Sequence, residues 1–185
     1  MPEASSQGVD ETTIYCPRIL RELWAPAQKG VPSQLARQWF EEYPGLFDED
    51  DLRLNGTQGH EKYHFYEWYV AVHLFQRDGA VSMVEKYDSP THRRKFARYQ
   101  ELLAGLSEPQ RGVLSAIRAD HVQLPDLLVL ARDGESFSFA EVKGQGDRLL
   151  PRQIASHEVI RQELNVRVEV VKVMLTDLEP TGASH

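Results

Sequence analysis

Three side chains in the last third of the chain have types and spacing suited to metal-assisted hydrolysis. They are Asp126, in Pro125-Asp126, and the pair in Glu141-Val142-Lys143. In a strand, residues i and i+2 point to one face. Glu141 and Lys143 therefore project together, and Val142 points the other way. Asp126 opens the preceding strand, and pairing the two strands through a turn at 133–136 brings it beside Glu141 and Lys143. Two neighbouring carboxylates repel unless a cation lies between them. Oxygen ligands at a partly open site suit Mg²⁺ or Mn²⁺. Such an ion neutralises a phosphodiester, holds the attacking water and stabilises the leaving oxygen. Lys143 is placed to support charge as it develops. An isolated Glu-x-Lys triplet is a common surface ion pair. Here Phe137, Phe139 and Val142 make a buried strand, Asp126 stands where the hairpin needs it, and Gly144-Gln145-Gly146-Asp147-Arg148-Leu149 forms a glycine-rich turn before a helix.

The elements that must position these groups can be read along the chain. Residues 1–30 are polar and interrupted by Pro17, Pro26 and Gly30, and read as a loosely ordered lead-in around the short apolar turn ILRELW. A helix follows, capped by Ser33 and striped by Leu35, Trp39 and Phe40. DEDD at 48–51 and NGTQG at 55–59 read as loop and turn. A second helix runs from about 61 to its stop at Gly79. AVSMVEKY, 80–87, reads as a strand. Two helices follow, one starting at Ser89-Pro90 and ending near Gly105, the next capped by Ser107. Then come the hairpin strands 125–132 and 137–144, a helix over 150–164, and a final strand over 166–175. The order predicts a small mixed sheet flanked by helices.

The segment PDLLVL…FAEVKGQGDRLLPRQ resembles the VRR-NUC branch of the PD-(D/E)xK nuclease superfamily, closely over about residues 124–174. That resemblance implies an α/β, restriction endonuclease-like core, with an N-terminal helical extension over 1–58, a nuclease domain over 59–178 with a helical insertion at about 90–120, and a flexible tail at 179–185. It implies metal ligation by Asp126, Glu141 and the Val142 carbonyl, with Lys143 as the catalytic lysine. Gln153, on the next helix, would point back into the site to place the attacking water or the phosphate. Families of this type also carry a glutamate on the helix before the first core strand. Glu67 fits that place, on a helical face with Tyr63, Val70, Ala71 and Leu74, and Glu61 is the second candidate. The implied reaction is DNA phosphodiester hydrolysis, with branched DNA as a possible substrate and a homodimer as a possible state.

A second motif competes. His60-Glu61-Lys62-Tyr63-His64 spells HExxH, the zinc-peptidase helix. Lys62 sits where that helix keeps uncharged residues, Gly59 suggests that the helix is only starting, and no third ligand follows at a familiar spacing. Basic residues gather at Arg93, Arg94, Lys95 and Arg98 on one helix, with Arg111 and Arg118 on the next, while Arg148 and Arg152 flank the hairpin site. They read as a phosphate-binding strip or as a solvated helix face. His157, on the helix with Gln153, reads as a packed or surface histidine. The rivals to a nuclease are a catalytically silent nucleic-acid-binding module on the same fold and the zinc peptidase.

Composition sets the frame. The 185 residues carry a formal net charge of -7, which weighs against a general nucleic-acid coat protein but not against an enzyme with carboxylate ligands. No apolar run is long enough for a membrane span. The first residues lack a basic and an apolar region, so no Sec-type signal peptide is expected. Cys16 is the single cysteine. It cannot form an internal disulfide, and a reducing cytoplasm is the expected compartment.

Overall fold

The computed structural model describes residues 10–59, 62, 64–84, 86–119, 124–134 and 136–177, without the side chains of Arg118 and Ala119. The elements are β1 (Asp10–Pro17), α1 (Arg18–Leu23), α2 (Gln34–Glu42), α3 (Glu49–Gln58), α4 (Phe65–Asp78), β2 (Val81–Val84), α5 (Arg93–Gly105), α6 (Glu108–Ala119), β3 (Leu127–Leu130), β4 (Phe137–Lys143), α7 (Pro151–Leu164) and β5 (Val168–Thr176). The strands form one mixed sheet in the order β1-β5-β4-β3-β2. β3 is antiparallel to β2 and β4, whereas β4, β5 and β1 run parallel. This is the restriction endonuclease-like α/β architecture that the sequence predicts.

Alternation along the strands divides the core into two layers. Leu127, Val129, Ala140, Val142, Val171 and Val173 face a layer built with α2, α4 and Trp24. Leu128, Phe139 and Val168 face the other, against Tyr99 of α5, Leu114 and Ile117 of α6, and Ile160 and Leu164 of α7. The first layer is aromatic, with Phe47 stacked on Trp68 at 4.0 Å between ring centres and Trp39 beside Trp24 at 5.6 Å.

Four local expectations are corrected. Residues 10–23, read as part of a loose lead-in, form β1 and α1. Ile14 and Cys16 alternate inward, and the backbone of β1 finds its partner in β5, at the far end of the chain. DEDD is a helix start rather than a loop. Asp48 caps α3 by accepting from the Asp50 and Asp51 amides at 2.9 and 3.2 Å, and Asp51 returns the bond to the Asp48 amide. Three acids in the first turn suit the positive end of the helix. Asn55 and Gly56, read as turn residues, lie inside α3. Asn55 accepts from the Ser33 amide at 2.7 Å and donates to the Trp24 carbonyl at 3.1 Å. A Cβ at Gly56 would stand 3.1 Å from the Gly30 carbonyl carbon, so the glycine permits the close approach. Finally, α4 starts at Phe65 rather than at 61. Lys62 and His64 have φ of 59° and 57°, left-handed conformations that a continuous helix excludes. The HExxH spelling therefore does not lie along a helix at Lys62 and His64. His60, Glu61 and Tyr63 lie outside the described residues, as does the expected tail at 179–185.

The basic strip also requires correction at Lys95. This residue is buried and turned inward. Its ammonium pairs with the buried Asp51, donates to the Val84 carbonyl at 2.8 Å, and lies 5.1 Å from the centre of the Trp68 ring. No charge is left for phosphate, because Lys95 shares the inner face of α5 with Tyr99 one turn on. Burial pushes the Asp51 carboxyl up to about 6, against the pull of Lys95. A carboxyl raised in the folded state costs stability above its folded pKa, and the cost fades as pH falls through that value. Lys95→Met leaves the Asp51 charge unpaired, so unfolding in urea at pH 7.5 should show a loss of about 3 kcal/mol. The loss should shrink towards pH 5 as Asp51 takes up a proton, while Arg93→Met at pH 7.5 should stay within about 0.5 kcal/mol of wild type.

Candidate active site

The sheet end where β3 begins and β4 finishes gathers the polar residues. Leu127 pairs with Ala140, so the next pair outward sets Asp126 across from Glu141. Asp126 lies in the bend just before β3, and its Oδ2 accepts from the Val142 amide at 2.8 Å. Behind the bend, the buried Tyr87 hydroxyl donates to the Pro125 carbonyl at 2.7 Å. Burial pushes the Tyr87 phenol well up, which keeps it a donor. Tyr87 was missed as a support for Asp126, since nothing in its own sequence neighbourhood points to residue 125.

Glu141 and Lys143 share a face, as strand geometry requires. Lys143 Nζ donates to Glu141 Oε1 at 2.6 Å, with side-chain exposures of 13% and 3%. Val142 points to the opposite layer. After Lys143 the chain turns sharply. The Gly144 amide donates to Asp147 Oδ2 at 3.1 Å, and Gly146 takes φ of 89°. A Cβ on Gly144 would lie 2.8 Å from the Tyr66 ring, so this position needs glycine. The turn feeds α7, with Pro151 in its first turn.

Helix α7 then returns two side chains to Glu141. Gln153 accepts from the Leu150 amide through Oε1 at 3.0 Å, which leaves its amide nitrogen to donate to Glu141 Oε1 at 2.6 Å. One turn further, His157 Nε2 lies 3.5 Å from Glu141 Oε2. Burial works to raise the Glu141 carboxyl, but the contacts from His157 and Lys143 outweigh it and hold it below the usual carboxylate range. Glu141 is thus a buried anion with both oxygens engaged. His157 is buried, as one of its two expected settings had it, but it touches the site residue; its signal was its position one helical turn after Gln153.

The remaining candidates lie on α4, on α5 and around the turn into α7. Glu67 is half-buried in the first turn of α4, the helix that packs on the opposite layer of the sheet. The neighbouring Tyr66 packs near Gly144, so this turn of α4 lies at the same sheet end. Arg148 and Arg152 are exposed on either side of the turn into α7. Arg93 and Arg94 are exposed on α5, Arg94 lying 3.8 Å from Glu49, and Arg98 donates to the Gly45 carbonyl at 2.9 Å. Arg111 caps the carbonyls at the end of α5. Among the described residues no group of three or more His, Cys, Asp or Glu side chains is arranged to hold a metal. The Asp126 and Glu141 carboxylates and backbone carbonyls such as that of Val142 are among the oxygen donors at this sheet end. These are the hard oxygens that Mg²⁺ and Mn²⁺ take.

The depressed Glu141 carboxyl predicts a pH signature. A group lowered in the folded state contributes stability above its unfolded value, near 4.5, and loses it as pH falls through its folded value. The stability of wild type relative to Glu141→Gln, measured by urea unfolding, should therefore be greater at pH 7 than at pH 4.

Comparison with protein families matches residues 100–175 to the VRR-NUC domain, a span that contains Asp126, Glu141, Lys143, Gln153 and His157 and excludes Glu67. A sequence comparison with curated proteins returns no match.

Proposed function

Residues 100–175 belong to the VRR-NUC family of the restriction endonuclease-like nucleases, which implies a nuclease-type function, and from that premise we propose that this chain hydrolyses DNA phosphodiester bonds with the help of a divalent cation. The observation that carries this reading is the convergence of Lys143 and Gln153 on Glu141, across from Asp126, at one sheet end. Asp126 and Glu141, with the Val142 carbonyl, would hold Mg²⁺ or Mn²⁺. Bound there, the cation would supply positive charge to the phosphodiester and make water more acidic.

The chain's own groups divide the remaining work. Lys143 brings a partly buried ammonium beside the reacting phosphate, where developing negative charge is stabilised more strongly than in bulk water. Gln153 is held through its own carbonyl oxygen, so its amide nitrogen keeps a fixed direction from which to place the attacking water or the phosphate. Arg148 and Arg152, exposed beside the turn, would contact the DNA backbone. Arg93, Arg94 and Arg98 remain candidates for more distant phosphates. Branched DNA is the proposed substrate class. A reducing, cytoplasmic setting is compatible with the free, buried Cys16, and no helix among the described residues is long and apolar enough to cross a membrane.

Two measurements test this reading. In a panel of linear, nicked, flapped and four-way DNA, the flapped and four-way substrates should be cleaved fastest with Mg²⁺ or Mn²⁺, and all should be left intact in EDTA. Lys143→Ala should lower the rate by about 100-fold or more. Unchanged cleavage by Lys143→Ala would reject the assigned chemistry, and tight DNA binding that needs no cation and gives no cleavage would favour the silent binding module. Separately, Arg148→Ala and Arg152→Ala should each weaken binding to all DNA sequences alike and reduce the slope of log affinity against log salt by about 1. Slopes equal to wild type would remove these two residues from the interface.

A further inference from the structure

We propose that His157 is a positioning residue for Glu141, fixing the carboxylate in the orientation that accepts a divalent cation together with Asp126; the inference rests on the metal-dependent reading of the site. His157 is 2% exposed, on the face of α7 that carries Gln153, and its Nε2 lies 3.5 Å from Glu141 Oε2. Lys143 and Gln153 both donate to the other oxygen, Oε1. A carboxylate held through one oxygen can still turn about its last side-chain bond, because that torsion has a broad energy well. The contact at the second oxygen opposes the turn.

The other side of the ring makes the case sharper. An ionised carboxylate only accepts, so Nε2 must carry the hydrogen that faces it. His157 Nδ1 is buried and has no hydrogen-bond partner among the described residues. A buried polar atom left unpaired costs stability. An apolar side chain packed against Ile160 and its neighbours would avoid that cost. What the imidazole supplies, and an apolar side chain cannot, is a donor aimed at Glu141. Lys143 and Gln153 donate to Oε1, and His157 Nε2 stands beside Oε2 at 3.5 Å. These contacts, on both oxygens, set which way the remaining acceptor positions point. Groups that orient a metal-binding side chain in this way typically alter metal affinity by about 10–100-fold when removed.

Mn²⁺ alone, titrated calorimetrically into the full chain, tests this without any turnover. His157→Leu should bind Mn²⁺ about 10–100-fold more weakly than wild type. His157→Gln carries its amide nitrogen where Nε2 lies and should stay close to wild type. The amide of His157→Asn stops near the place of Nδ1, so it should behave like the leucine variant. Wild-type affinity in His157→Leu overturns the inference, and so does equal affinity in the Gln and Asn variants. If the leucine variant does not fold, the contrast between Gln and Asn decides. A wild-type chain that takes up no Mn²⁺ overturns the metal reading itself, an outcome distinct from wild-type binding that His157→Leu leaves unchanged.

Discussion

A negative charge buried to 2% exposure constrains this structure more than any other single feature. Transferring a carboxylate out of water costs several kcal/mol unless partners replace the lost hydration. Glu141 finds its replacements locally and across the chain. Lys143 comes from the same strand face, while Gln153 and His157 come from α7. The helix must therefore lie over this face, with its first two turns at the end of β4. Parallel pairing of β4 with β5 demands a crossover of this kind. The tight turn at Gly144 and Gly146 makes the crossover short enough to bring Gln153 back over the strand that it has just left. Charge satisfaction and chain topology thus favour the same arrangement.

The opposite layer supports the sheet through aromatic packing. Trp24, Trp39, Phe47, Phe65 and Trp68 fill the space between α1–α4 and the sheet. β1 extends the sheet beyond β5, so the segment that precedes the helices is a structural part of the same sheet as the site. The buried pair Asp51–Lys95 links α3, α5 and the end of β2. Val84 pairs with Leu127, directly beside Asp126, so this second buried charge pair ties the helical segment 93–119 to the sheet end where the candidate site lies.

What could be read from sequence follows the range of the forces involved. The hairpin, Glu141 beside Lys143, and the approach of Asp126 depend on strand periodicity and a short turn, and these are local. So does the Ser33 cap, which accepts from the Ala36 amide at 3.0 Å. β1 was not legible because its partner strand lies at the other end of the chain. DEDD and NGTQG carry the composition of loops, yet a capping box and the close packing of Gly56 on Gly30 make them a helix. Lys95 carries a charge whose direction depends on the helical face rather than on composition. Its spacing from Tyr99 already places it inside. His157 is the converse case, since the spacing was visible but the single unpaired nitrogen and the contact with Glu141 required coordinates.

In the proposed reading, Asp126 and Glu141 together hold a hard cation at the end of β4. Crystals grown with Mn²⁺ and measured at the manganese absorption edge test it most directly. An anomalous peak is expected within bonding distance of a carboxylate oxygen from each of the two residues. A peak elsewhere, or none at saturating Mn²⁺, would contradict it.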